Sequence, residues 1–228
     1  MSESFAGIPQ RGLAFLAELA EHNEKEWFDA HREAWDNELL PAMTALCGAL
    51  QARLSDVLPN LTFVPRVGGS LYRLNRDVRF SRDKRPYETH AEVVLWEGAD
   101  KQSAPSLNLR VAPQEMCFIG GLQLFEEAQL ERYRKRVMNE ESGDALSAAL
   151  GAAKKRGLLA EGEKLGKPPR GVPVDHPRVE LAKHKGLFVT QTLKGGAWMS
   201  SHELLDKAEA AARGYAPLHE WLRTHLCS

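Results

Sequence analysis

The chain has 228 residues, 43 % of them apolar and 27 % charged, with a formal net charge of -1. That is ample material for a substantial core, and near-neutrality excludes a protein that coats nucleic acid or anionic membrane over its whole surface. No apolar run approaches the roughly 18 residues of a membrane span, and Met1–Gly7 shows no cationic stretch leading into an apolar one, so a cytoplasmic protein is expected.

Leu13, Leu16, Ala17 and Ala20 recur at helical spacing and predict a first helix over 11–21. Asn23 and Glu26 have the spacing of a capping box that opens a second helix. Trp27, His31 and Trp35 step along one face of it, with Phe28 and Leu39 beside them, so the aromatics read as core and His31 as a partly buried histidine. Pro41 suits the first turn of a third helix or a kink, because it has no N–H to lose there. Met43, Leu46, Cys47, Leu50, Leu54 and Val57 give that helix an apolar stripe, closed by Pro59.

Short alternating or β-branched segments follow at Thr62–Val67, Ser70–Leu74, His90–Trp96, Ser106–Val111 and Glu115–Ile119. Ala112-Pro-Gln114 has the form of a hairpin turn, and Gly120-Gly121 ends the run. Helices are predicted at 126–139 and 143–155, then a surface loop from Gly166 to Pro177 and a strand over Leu187–Leu193. Ser200 and Glu203 have capping-box spacing before one helix, and Pro217 is placed at the start of a last one. The expected fold is a single α+β domain over 1–228, with a central, mostly antiparallel sheet flanked by N-terminal and C-terminal helices.

The stretch from Arg73 to Tyr87 stands apart. Arg73, Arg76, Arg79, Arg82, Lys84 and Arg85 fall within thirteen positions, offset only by Asp77 and Asp83. Two like charges about 6 Å apart repel by roughly 0.7 kcal/mol in water and nearer 3 kcal/mol at an effective dielectric of about 20. These cations are therefore solvated, internally paired, or arranged to hold an anion. The segment lies between two predicted strands, so its centre is expected to be a loop.

The stretch Arg76-Asp-Val-Arg-Phe-Ser-Arg-Asp-Lys-Arg-Pro-Tyr87 resembles the signature of the domain of unknown function 2461 family of bacteria and fungi. Leu13, Phe15, Leu16, Leu19, Asn23, Trp27, Phe28, His31 and Arg32 resemble its N-terminal helices. Gly120-Gly121 with Leu130 and Arg134, and Pro169-Arg-Gly171 with Asp175-His-Pro177, resemble later segments, so the likeness covers about residues 11–195. Two departures are a glycine turn that lacks a further glycine and an aromatic-proline pair, and Arg170 where lysine is commoner. The resemblance implies a fold and a single cytoplasmic domain, and no activity.

An anion cradle is the leading functional expectation. Arginine offers a planar fork of donors to phosphate or carboxylate. The expected set is Arg73, Arg76, Arg79, Ser81, Lys84, Arg85 and Tyr87, joined by Arg170 and His176 if their loop folds back. Its partner would be a phosphate-bearing small molecule or a nucleic-acid segment, with no membrane. The structural alternative is an interaction module in which Asp77 and Asp83 hold the arginines in a salt-bridge network. A third alternative is a hydrolase or phosphoryl-transfer enzyme using Asp77 or His176. Asp77, Asp83 and Glu88 sit among too many cations to favour a divalent metal. Cys47, Cys117 and Cys227 are odd in number and far apart, so they read as reduced thiols. The eight histidines show no zinc spacing and no phosphate-binding glycine loop occurs, so neither metal nor cofactor is expected.

Overall fold

The computed structural model describes residues 5–98 and 100–227. Helices α1 (Gln10–Glu21), α2 (Lys25–Ala34) and α3 (Leu40–Arg53) come first, followed by strands β1 (Leu61–Thr62), β2 (Ala91–Glu97), β3 (Ser106–Ala112) and β4 (Glu115–Leu122). Then come α4 (Glu127–Met138), α5 (Glu140–Lys155), β5 (Leu159–Glu161), α6 (Val179–Ala182), β6 (Leu187–Lys194) and α7 (Glu203–Leu226). The strands form one antiparallel sheet in the order β1-β2-β3-β4-β6-β5, and the protein is α+β. No helix among the described residues is long and apolar enough to cross a membrane.

The chain divides into two compact units. The first comprises the described residues up to Leu95, Asn108–Phe118 and Thr192–Ala210; the second comprises Trp96–Leu107, Ile119–Gln191 and the described residues from Ala211 onward.

In the first unit, Phe15, Leu16 and Leu19 of α1 are buried together with Phe28 of α2 and Met43, Leu46 and Leu50 of α3. Phe15 stacks on Trp27 at 5.7 Å and meets Phe28 edge-on at 6.0 Å. His31 is exposed, not partly buried as its aromatic neighbours suggest, and lies flat on Trp27 at 4.1 Å. Between α2 and α3 the helix widens into a π-turn, Trp35–Leu39, where the Leu40 N–H bonds back to the Trp35 carbonyl. Pro41 accounts for this placement. It offers no N–H to the carbonyl four residues earlier, so the ladder re-registers before α3 begins.

Two N-terminal caps differ from their sequence patterns. The N-cap of α2 is Glu24, with no side-chain cap bond, and Asn23 is used elsewhere. Before α7 the oxygen that accepts from the Glu203 N–H is that of Ser201, at 3.3 Å, one residue beyond Ser200. Pro217 lies inside α7 and does not begin a separate helix. The buried stripe Leu204, Ala208, Ala211, Tyr215, Leu218 and Leu222 runs through it, and that burial outweighs one missing backbone bond.

The second unit is built around fully buried Tyr133, whose hydroxyl donates to the Leu181 carbonyl at 2.8 Å. Phe125 lies against that ring at 4.6 Å and Trp221 meets it edge-on at 6.0 Å. Gly121 has φ +144°, and a Cβ there would stand 2.4 Å from the Leu187 carbonyl, so the Gly120-Gly121 pair lies inside β4 where β6 passes closest. Strand β5, absent from the sequence expectation, pairs antiparallel with β6 through Ala160 and Val189.

Candidate functional site

The basic segment is carried on a long hairpin-like excursion at the edge of β2. The Val94 N–H donates to Ser70 at 2.8 Å and the Tyr72 N–H to Glu92 at 3.0 Å. Further out, the Glu88 N–H reaches the Leu74 carbonyl at 2.7 Å and the Arg76 N–H reaches the Pro86 carbonyl at 2.8 Å. The predicted strands at Thr62–Val67 and Ser70–Leu74 shrink to the short β1 and isolated bridges such as Leu71 with Val93. Tyr87 closes the base. Its ring stacks on Phe28 at 4.3 Å and its backbone is held by Asn23.

At the tip, charges are answered locally. Asp77 takes Nε and Nη2 of Arg79 at 2.9 and 2.6 Å. Asp83 takes Nη2 of Arg85 at 2.8 Å and Nη1 of Arg76 at 3.0 Å. Lys84 turns its ammonium onto the Val78 carbonyl at 3.0 Å. The Arg79 guanidinium lowers the Asp77 carboxyl from its ordinary value, and that of Arg85 holds Asp83 well below the usual carboxylate range. Such exposed pairs add little to global stability, but each closes a ring of two residues and shapes the backbone. Phe80, 95 % exposed, projects from this tip with Arg79 over its ring at 5.8 Å.

Below the tip lies a cavity of about 480 Å³ lined within the first unit by Tyr72, Arg73, Asn75, Arg76, Asp77, Glu88, His90, Glu92 and Arg110. Strand geometry explains the set. Glu88, His90 and Glu92 are spaced by two and fall on one face, as do Asn108 and Arg110 of β3, while Leu107, Leu109 and Val111 fill the opposite face. Glu92 accepts from Asn108 Nδ2 at 2.9 Å and from Arg110 Nη2 at 3.0 Å. Burial pushes the Glu92 carboxyl up, but His90, Asn108 and Arg110 together bring it below its ordinary value. His90 stands between two carboxylates, its Nε2 3.5 Å from Glu92 and its Nδ1 3.9 Å from Glu88. Tyr72 is raised by burial and by the Glu92 charge, against a hydrogen bond with Asn108. Arg76 reaches Glu88 at 3.5 Å as well as Asp83. Arg73 lowers Asp77 through space and makes no ion pair or hydrogen bond among the described residues.

The sequence profile described as "Conserved hypothetical protein (DUF2461)" matches residues 11–221. The chain belongs to the DUF2461 family. The match runs beyond the likeness drawn from sequence motifs and takes in most of α7. A comparison with curated proteins finds no match.

In this DUF2461 chain, Arg73 and Arg76 line the charged cavity, and Tyr87 lines a neighbouring one. Arg79, Ser81, Lys84 and Arg85 belong to the tip and line neither. Arg170 and His176 belong to the second unit. There His176 Nδ1 accepts the Arg178 N–H at 3.1 Å, and Arg170 is exposed in a turn. His90, Glu92, Asn108 and Arg110 did not figure among the expected site residues. Their signal was polar residues at every second position, Glu88-x-His90-x-Glu92 leading into one predicted strand and Asn108-x-Arg110 within another. Among the described residues no cluster of three His, Cys, Asp or Glu groups is placed to hold a metal ion. The cavity offers one guanidinium, that of Arg73, without an ion pair among the described residues, a histidine between two carboxylates for proton transfer, and a neutral donor from Asn75.

Proposed function

We propose that this protein binds a small ligand with a single anionic group, phosphate or carboxylate, in the charged cavity beneath the 73–87 segment. Arg73 carries this reading: it lines the cavity and has no ion pair among the described residues, whereas Arg76 and Arg110 are paired with Glu88, Asp83 and Glu92. The cavity volume, about 480 Å³, falls in the range of small-molecule sites. Asp77, Glu88 and Glu92 in its wall disfavour a polyanion such as a nucleic-acid backbone. They suit hydroxyl or amine groups on the remainder of the ligand. The paired tip favours a structural role for Asp77 and Asp83, which hold the loop that roofs the arginines.

The test is titration calorimetry with inorganic phosphate. A charge-assisted guanidinium–phosphate contact is worth about 1.5–3 kcal/mol, so Arg73→Ala is expected to weaken binding by roughly tenfold or more. Arg79→Ala, already neutralised by Asp77, is expected to bind within about twofold of the native chain. Equal binding by Arg73→Ala and the native chain would overturn the reading.

A further inference from the structure

Arg73 and Asn75 line two cavities. The second, about 490 Å³ and also wholly within the first unit, is walled by Phe28, Trp35, Leu40, Val67 and Tyr87. Beside Arg73 and Asn75, its polar lining is made of exposed ion pairs that are already satisfied, Lys25 with Asp29 at 2.8 Å and Arg32 with Asp36 at 3.0 Å. A chamber with an aromatic wall and a charged rim and a wholly polar chamber thus share lining residues, among them Arg73, which makes no ion pair among the described residues.

We infer that the two cavities together take one phosphodiester, with its phosphate at Arg73, an aromatic or aliphatic arm against the aromatic wall of the second cavity and a hydroxyl- or amine-bearing arm in the charged one. The inference rests on the proposed anion site and sharpens its ligand class. Charge and connectivity select the diester. A phosphomonoester carries about two negative charges at neutral pH, and a carboxylate has only one substituent to extend from its anionic carbon. A phosphodiester carries one charge, matching one arginine, and has two ester arms that leave in different directions. The apolar arm would gain contact with Phe28, Trp35 and Tyr87, and the polar arm would lie beside Glu88, His90 and Tyr72.

Competitive calorimetry on the full chain tests this with inorganic phosphate, p-nitrophenyl phosphate, p-nitrophenyl phosphorylcholine and thymidine 5′-(p-nitrophenyl phosphate). Either diester is expected to bind at least about tenfold tighter than inorganic phosphate and than the monoester. The tighter of the two distinguishes a lipid-headgroup-like polar arm from a nucleoside. Val67→Trp, at a side chain already 41 % exposed, places an indole against the aromatic wall of the second cavity and narrows it. It is expected to erase the diester advantage while leaving inorganic phosphate affinity unchanged, which also reports an intact fold. Phosphate binding that depends on Arg73, with diesters no tighter than phosphate, would overturn this inference and leave the anion site standing. A diester advantage untouched by Val67→Trp would overturn it as well. Loss of Arg73-dependent phosphate binding would remove the anion site itself.

Discussion

The side-chain amide of Asn23 acts as a strand partner for the backbone of Tyr87. Its Nδ2 donates to the Tyr87 carbonyl at 3.0 Å, and the Tyr87 N–H donates to its Oδ1 at 2.9 Å, across 64 positions of sequence. Both residues are buried, and Phe28 covers the Tyr87 ring. This clamp anchors the returning arm of the basic excursion to the entrance of α2, beside the second cavity that Tyr87 lines.

Asn23→Ala would leave a buried backbone donor and acceptor unanswered. A loss of about 2–3 kcal/mol in chemical denaturation is expected, in the range for unsatisfied buried groups. Asn23→Asp loses only the donor and should cost comparably, because it also buries a charge. A change under about 0.5 kcal/mol for Asn23→Ala would mean that water replaces the clamp.

Asp83 gathers both Arg85 and Arg76, so it is the joint of the tip. Asp83→Ala is expected to speed tryptic cleavage after Arg82 and Lys84 several-fold while lowering the thermal midpoint only slightly, since the pair with Arg85 is exposed and that with Arg76 only part-buried. Cleavage at the native rate would show that the loop holds its shape without the ion pairs.

The second unit carries a pH-sensitive group. His219 is buried, with Nε2 2.6 Å from Glu97 Oε2 and Nδ1 3.2 Å from the Tyr215 hydroxyl. The neutral ring fits both contacts by donating from Nε2 and accepting at Nδ1. Burial lowers its pKa against the opposing pull of Glu97. The unfolded chain therefore takes up the proton first, near the ordinary histidine value of about 6.5. Stability should fall as pH drops from about 6.5 toward the lower folded value. Glu92, also lowered, keeps its contribution throughout that window and loses it only as pH falls through its own folded value. Thermal midpoints between about pH 7.5 and 5.5 should show the decline, and His219→Gln should make it shallower, with His184 and His225, whose pKa values burial also lowers, keeping the remainder. A native curve that is level across this range would contradict the assignment.

Much of the fold was legible because its signals are local. Helical spacing marks α1, although its buried face is Gly12, Phe15, Leu16 and Leu19 while Ala17 and Ala20 of the expected stripe are exposed, and the Pro113-Gln114 turn joins β3 to β4. Signals that depend on distant partners misled. Asn23 has capping-box spacing with Glu26, yet its amide is taken by Tyr87. Pro217 reads as a helix start, yet the buried stripe of α7 continues past it. The same physics divides the basic cluster. Six cations in a row of thirteen look equivalent in sequence. Only the loop conformation separates Arg79 and Arg85, each paired two residues away, from Arg73. Glu92 and Arg110 lie on different strands, and nothing in either strand alone announces that they meet.

The most direct test of the anion site is crystallographic. Tungstate, a tetrahedral dianion with a strong anomalous signal, should be located in crystals soaked with it. Its peak is expected within hydrogen-bond reach of the Arg73 guanidinium, roughly 2.7–3.2 Å from nitrogen to oxygen, in the cavity shared with Asn75 and Arg76. A peak seated instead on Arg82 at the exposed tip, with the cavity left to solvent, would contradict the account.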